Sequence, residues 1–247
     1  MNAPVFQLGR GLYPLPEAAR LAQVSTLTAR RWAEGYDYKY HDQTRHSSGV
    51  MELALPTLSG QVDLTFAELL TLHLVKGFRG AGLSLRTIKR VVQVAVQEFG
   101  TPTPFISRRF RTDGRKVFVE LQHVEPANDE PRIPRRERAL IEVLSRQHAF
   151  ADIVEPSLFR QVDWVDDLAA RWWPLGQGHA VVLDPAVLFG APRVAETRVP
   201  TAVLASAVVA EGGGEAAIQA VADWHGVSAA NVRDAVKFET EWLRRAA

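Results

Sequence analysis

Apolar residues recur through the first hundred positions at helical spacing, broken by caps and glycines. Leu15, Ala18, Ala19 and Ala22 share one small apolar face. Pro16 suits a first helical turn, where its missing N–H would be unpaired anyway. Val24 plugs the turn that follows. Ser25 is a good N-cap, with Thr28 three residues on, and Trp32 returns to the inner face. The pattern predicts two short helices meeting at a turn. Ser25, Thr26, Leu27, Arg30 and Arg31 are left outward near the start of the second. One position is unusual: Gln23 stands where the turn of such a pair usually carries glycine. An ordinary helical hairpin with solvated arginines would read the same way locally.

Gly35 stops the second helix. Residues 36–59 are aromatic, polar and turn-rich, with Tyr36, Tyr38, Tyr40, His41, His46 and Ser47-Ser48-Gly49. They predict a short hairpin or wing, from which Lys39 and Arg45 reach phosphate; its aromatics either join them or pack beneath the loop. Thr65-Phe-Ala-Glu68 is a capping box. It opens a helix to Arg79 with Phe66, Leu69, Leu70, His73 and Leu74 at helical spacing. Gly80-Ala-Gly82 breaks it. Ser84 caps the next helix, whose buried stripe is Ile88, Val91, Val92, Ala95 and Phe99.

Beyond Pro102 and Pro104 the pattern shifts. Residues 105–122 predict a β-hairpin, because Asp113-Gly114 lies between two β-rich runs. Residues 125–138 are proline-rich and charged, an exposed connection dense in arginine. Residues 140–144 and 169–175 predict strands, with a short helix around 148–154. Trp172 and Trp173 close the second strand and point to opposite faces, one to the core and one to a neighbour. Val181-Val-Leu-Asp-Pro185 is a strand entering a proline turn, and residues 189–200 are irregular. Three helices follow, over 201–211, 215–224 and 228–243. His225-Gly226-Val227-Ser228 makes a second helix-turn-helix-like corner, whose outward residues offer little to a base edge.

The predicted fold class is therefore α+β and mainly helical. It comprises an N-terminal winged helix-turn-helix over 1–100, a small central β-rich segment over 101–178 and a C-terminal three-helix unit over 179–247. A chain of 247 residues is long enough for two or three cores.

Charge adds a direction to this picture. Up to Arg138 there are 20 Lys plus Arg against 14 Asp plus Glu, a net of +6; from Ala139 there are 9 against 14, a net of −5. The basic half contains the predicted helix-turn-helix, so that end is the one suited to a polyanion. Cysteine is absent, which excludes disulfides and thiolate chemistry and fits a reducing cytoplasm. The start Met-Asn-Ala-Pro-Val has no basic stretch leading into an apolar one, so no secretion signal is expected and the protein is expected in the cytoplasm. No run of eighteen apolar residues predicts a membrane span.

Catalytic motifs do not emerge. There is no phosphate-cradling glycine loop and no nucleophile elbow. His41, Asp42 and His46 are a weak metal pattern, and Asp163, Asp166 and Asp167 read as a solvated turn. No enzyme, cofactor or metal is expected.

Two resemblances sharpen the reading. Residues 13–100, through the helix-turn-helix, the wing and Gly80-Ala-Gly-Leu-Ser-Leu-Arg-Thr-Ile88, resemble a MerR-type winged helix-turn-helix. The wing departs from that family, and the long dimerising coiled coil of many members is missing, so dimerisation is expected from elsewhere. Asp184-Pro185, Gly190-Ala-Pro192 and Thr197-Arg198, followed by the helices and His-Gly-Val-Ser, resemble the family numbered 433 among domains of unknown function. Together they are similar to long VapB-type antitoxins paired with PIN-like ribonuclease toxins. The resemblance implies an antitoxin that binds operator DNA as an autorepressing homodimer and neutralises such a toxin. Ser25, Thr26, Thr28, Arg30, Arg31, Lys39 and Arg45 are the DNA-binding candidates. Arginines suit an acid-lined nuclease cleft because they stay charged and pair bidentately with carboxylates. Arg132, Arg135, Arg136, Arg244 and Arg245 are the candidates for that role, although a solvated linker is the simpler reading of the first three. Trp172, Trp173, Phe189, Gly190, Pro192, Thr197 and Arg198 are the dimer or structural candidates. The alternative is a ligand-responsive regulator with a small-molecule pocket at Trp172 and Trp173.

Overall fold

A computed structural model describes residues 10–41, 43–123, 132–145, 159–195 and 197–246. The predicted helix around 148–154 lies outside the described residues. Strand β1 (Tyr13–Pro14) leads into α1 (Leu15–Leu21) and α2 (Thr26–Ala33), followed by the hairpin β2 (Gly35–Tyr40) and β3 (Gln43–Ser48). Strand β4 (Asp63–Leu64) pairs back onto β1, and α3 (Phe66–Ala81) and α4 (Leu85–Phe99) complete the N-terminal half. Both predicted caps form: the Thr65 hydroxyl accepts from the Glu68 N–H, and the Ser84 hydroxyl from the Thr87 N–H. The Glu68 carboxylate is buried. It accepts from Thr65 N at 2.6 Å and Ala54 N at 2.7 Å, pinning the segment after the hairpin to the start of α3.

Two expectations for the middle of the chain are overturned. The predicted hairpin over 105–122 is a helix, α5 (Arg108–His123). Phe110, Gly114, Val117, Phe118 and Leu121 fall on its buried face, and that spacing of three and four residues outweighs the local Asp-Gly turn signal. Phe110 packs on Phe105 and Phe99, and Phe118 on Phe78. The predicted strand over 140–144 belongs to α6 (Arg135–Leu144), which buries Ile141 and Leu144, three apart. Its first turn takes in part of the charged stretch read as a linker. The central β structure is the pair β5 (Val162–Val165) and β6 (Leu168–Trp172). Another short pair, β7 (Val181–Val182) and β8 (Arg193–Val194), precedes α7 (Thr201–Ala210), α8 (Gly214–His225) and α9 (Ala229–Lys237). The chain closes in a π-helical turn over Phe238–Trp242 and a 3-10 turn over Leu243–Ala246. None of the described helices is long and apolar enough to cross a membrane.

The main core draws on all three stretches of the chain. Leu15, Phe78, Phe118, Trp172, Leu183 and Phe238 belong to one buried cluster, and a smaller one forms around Val194, Leu204, Val221 and Val232. Trp172 is fully buried, its ring 4.9 Å from His73 and 6.2 Å from Trp242. The Trp242 Nε1 in turn donates to Leu21 O at 3.1 Å, so the C-terminal turn sits on the end of α1.

Helix α6 is locked to the N-terminal half by one carboxylate. Glu137 accepts from Ser84 N at 3.1 Å, from Ser84 Oγ at 2.8 Å and from the Thr87 hydroxyl. Partial burial pushes its pKa up, but the hydrogen bonds from Thr87 and Ser84, helped by Arg79, bring it below the usual carboxylate range. A depressed folded-state pKa means that this contribution is complete above the unfolded-state value and is lost as pH falls through the folded one. Glu137→Gln is expected to cost about 1–3 kcal/mol in urea denaturation at pH 7. The difference from the parent should shrink as the pH falls below about 4.

Candidate nucleic-acid interface

The Ser25 side chain accepts from Thr28 N at 3.2 Å and donates to Thr28 Oγ1 at 2.8 Å, fixing the start of α2. Ala29, Trp32 and Ala33 turn inward, which leaves Ser25, Thr26, Leu27 and Arg31 exposed and Thr28 and Arg30 half-buried. The turn before α2 uses the unexpected residue: Gln23 holds a left-handed φ of 57°. Its side chain accepts from Lys76 Nζ at 2.7 Å and donates to Trp242 O at 3.4 Å. Contacts made by distant segments thus hold a conformation that glycine would adopt without them.

The two arginines of α2 are not equivalent. Arg30 donates to Glu34 Oε2 at 2.7 Å, one helical turn on, and reaches Gly60 O at 3.4 Å. Arg31 points away from these groups, its guanidinium 5.6 Å from the centre of the Tyr36 ring. That ring belongs to the hairpin, whose six residue pairs run from Gly35 opposite Ser48 to Tyr40 opposite Gln43. Side chains alternate along a strand, so Tyr36, Tyr38 and the Tyr38 partner Arg45 share one face, while Lys39 and Thr44 take the other. The structure therefore gathers Arg31 and Arg45 on the tyrosine side and separates Lys39 from them.

Sequence reasoning missed what anchors this hairpin. Lys89, on α4, donates to Ser47 Oγ at 2.8 Å and to the Ser48 carbonyl. Burial, with Arg86 adding repulsion, lowers its pKa. A cavity of about 540 Å³ opens between the hairpin and the start of α4, lined by Tyr36, Tyr38, Arg86 and Lys89. At the base of the hairpin, Gly35 has φ +96° and Gly49 lies against the Ala33 carbonyl, where neither site has room for a side chain.

The other candidates are dispersed. Arg132, Arg135 and Arg136 are exposed at and before the start of α6, and Arg132 and Arg135 line a second cavity of about 710 Å³ with Arg90 and Arg138. Arg244 is exposed and Arg245 follows it in the closing turn. Trp172 lies in the core, and half-buried Trp173 donates from Nε1 to Asp163 Oδ2 at 2.9 Å. Neither tryptophan lines either of these two cavities. The loop between β7 and β8 is built on Asp184, which accepts from Arg193 at 3.1 Å, Arg171 at 3.2 Å and Ala186 N at 3.0 Å. Gly190 packs on Tyr13, Pro192 O accepts from Thr201 N, and Thr197 Oγ1 donates to Val194 O; Arg198 is exposed. Phe189 stands 71% exposed on a left-handed backbone.

Most of the chain has a counterpart among known proteins. A Mycobacterium tuberculosis protein named "Putative antitoxin VapB45" is 32% identical over 231 residues, 91% of this chain and 92% of its own length. The chain belongs to the VapB45 family. The fold agrees: the crystal structure of Rv2018 from Mycobacterium tuberculosis superposes with a TM-score of 0.66 at 24% identity, covering 91% of this chain and 96% of that one. No protein-family profile matches the chain. Membership in the VapB45 family spans both halves of the molecule, so the exposed start of α2 and the C-terminal helices belong to one inherited unit.

Proposed function

We propose that the protein is the antitoxin of a toxin–antitoxin pair and represses its own operon by binding operator DNA. The observation that carries this reading is the family relationship to the protein named "Putative antitoxin VapB45", 92% of whose length the match covers. The exposed start of α2 fits its DNA-binding half. A helix opened by Ser25, bearing Thr26, Leu27 and a solvent-facing Arg31, has the form of a recognition helix, with Tyr38 and Arg45 beside it on a braced hairpin. In this reading the hairpin is the wing of a MerR-like head. The chain acts as a homodimer that places two recognition helices about one DNA turn apart, so the operator is palindromic.

The partner is a PIN-like ribonuclease, and the basic rim of α6 (Arg132, Arg135, Arg136) with the C-terminal Arg244 and Arg245 supplies the groups for its acidic cleft. The C-terminal helices, which resemble the 433 family, frame that contact. Affinity purification of the full chain from its host is the test. A small PIN-like nuclease should co-purify, with its RNA cleavage inhibited in the complex. Recovery of the chain without such a protein, but with a tightly bound metabolite, would overturn the antitoxin reading in favour of a ligand-responsive regulator.

A further inference from the structure

Helix α7 differs from every other described α-helix in carrying no charged side chain. Thr201, Leu204, Ala205 and Val208 are buried against the smaller core formed with α8 and α9. The opposite face holds Ala202, Val203, Ser206, Val209 and Ala210, with Val203 45% and Val209 75% exposed. Surface helices normally turn polar residues outward; a helix apolar on all sides is one covered on all sides. Ala202, Ser206 and Ala210 recur every four residues, a low strip on which another helix can lie close, flanked by Val203 and Val209.

We propose that this face is the two-fold contact with a second copy of the chain, α7 crossing its copy antiparallel near Ser206. Three observations select that occupant. An isologous contact places a patch against itself, so any charge near the axis meets its own kind; a face free of charge is the one able to do this. The outer face of α7 also lacks the charges by which electrostatic complementarity selects and steers a different protein. Third, α5 is committed inside the molecule. It buries Phe110, Val117, Phe118 and Leu121 against α4, α6 and their neighbours, so it is not free to form a coiled coil with a copy. A ten-residue helix buries less than the roughly 800 Å² per partner of a standard interface, so the free dimer is weak and is reinforced when both heads engage one DNA. The dimer surface deepens the operator-binding reading, which supplies its purpose, but its test involves no DNA.

In the antiparallel crossing, Val203 of one chain faces Val209 of the other. Sedimentation velocity of the full chain should show a concentration-dependent dimer. Val209→Glu should weaken it at least tenfold while leaving the melting temperature of the monomer unchanged, because the Val209 side chain contributes little to the chain's own core. Adding Val203→Lys to Val209→Glu in the same chain should restore dimerisation, each lysine then facing the copy's glutamate. A parent chain monomeric at all concentrations overturns the proposal. So does a dimer indifferent to Val209→Glu, or a double variant no better than the single one. Loss of a co-purifying toxin with the dimer intact would assign the face to that partner instead.

Discussion

Replacing Gly190 with alanine should cost the fold about 4 kcal/mol. The added Cβ would stand 2.1 Å from the Tyr13 hydroxyl oxygen and 2.8 Å from its ring. Tyr13 cannot move aside: it is 1% exposed, sits in the main core and donates its hydroxyl hydrogen to Gly190 O at 2.9 Å. Burial, with Glu17 and Asp184 adding to it, pushes that hydroxyl far above its usual pKa, so it stays a donor at any accessible pH. Alanine would also have to adopt φ +88°. The methyl group thus combines overpacking, a left-handed backbone and a disturbed buried hydrogen bond, each worth about 1–3 kcal/mol. Gly212→Ala is the control. Its φ is +86° with nothing within 4 Å, so it carries the backbone penalty alone, about 1 kcal/mol. Urea denaturation of both variants separates the terms. Equal losses would mean that the Tyr13–Gly190 contact does not hold the N-terminal strand to the β7–β8 loop as argued.

Local chemistry was the legible part of this fold. Ser25, Thr65, Ser84 and Ser228 each cap the helix that their neighbours predict, because a cap needs only a hydroxyl and an N–H three residues on. Even the inward pairing of Arg30 was within reach, since Glu34 lies at the i+4 position of the same helix. The error over 105–122 came from weighting a two-residue turn signal above a four-turn apolar stripe. The braces of the candidate interface were not legible. Lys89 meets Ser47, Glu137 meets Ser84 and Trp242 meets Leu21 across 42, 53 and 221 residues, respectively. Long-range pairs leave no trace in the periodicity of either partner. The same distances explain Gln23: its left-handed turn is maintained by Lys76 and the C-terminal turn, and nothing near it in sequence announces this. The exposed apolar side of α7 was present in the sequence as a run without charge, but only burial of the other side shows which half is left open.

Charge reversal at Arg31 should sharply weaken operator binding while leaving the protein folded. Arg31 is exposed and lies off the Glu34–Gly60 network that engages Arg30, so Arg31→Glu removes a cation from the DNA side at little cost to the fold. One lost phosphate or base contact costs about 1–3 kcal/mol, and a dimer loses it twice, so affinity for a duplex from the region upstream of the gene should fall at least about 30-fold. Fluorescence anisotropy across a salt series separates the contributions. A phosphate contact lowers binding to operator and random duplex alike and flattens the salt slope by about one unit per contact; a base contact lowers operator binding selectively. Arg30→Ala is expected to cost less in binding and more in stability, since it frees Glu34 and the Gly60 carbonyl. Surface substitutions suit this question better than truncation at residue 100. Removing the N-terminal helices would strip the main core from Trp172, Leu183 and Phe238, and a loss of toxin binding in such a fragment would report unfolding. Operator affinity of Arg31→Glu within threefold of the parent would leave the helix opened by Ser25 without a DNA role, and its exposed face would then have to be read as a surface for protein.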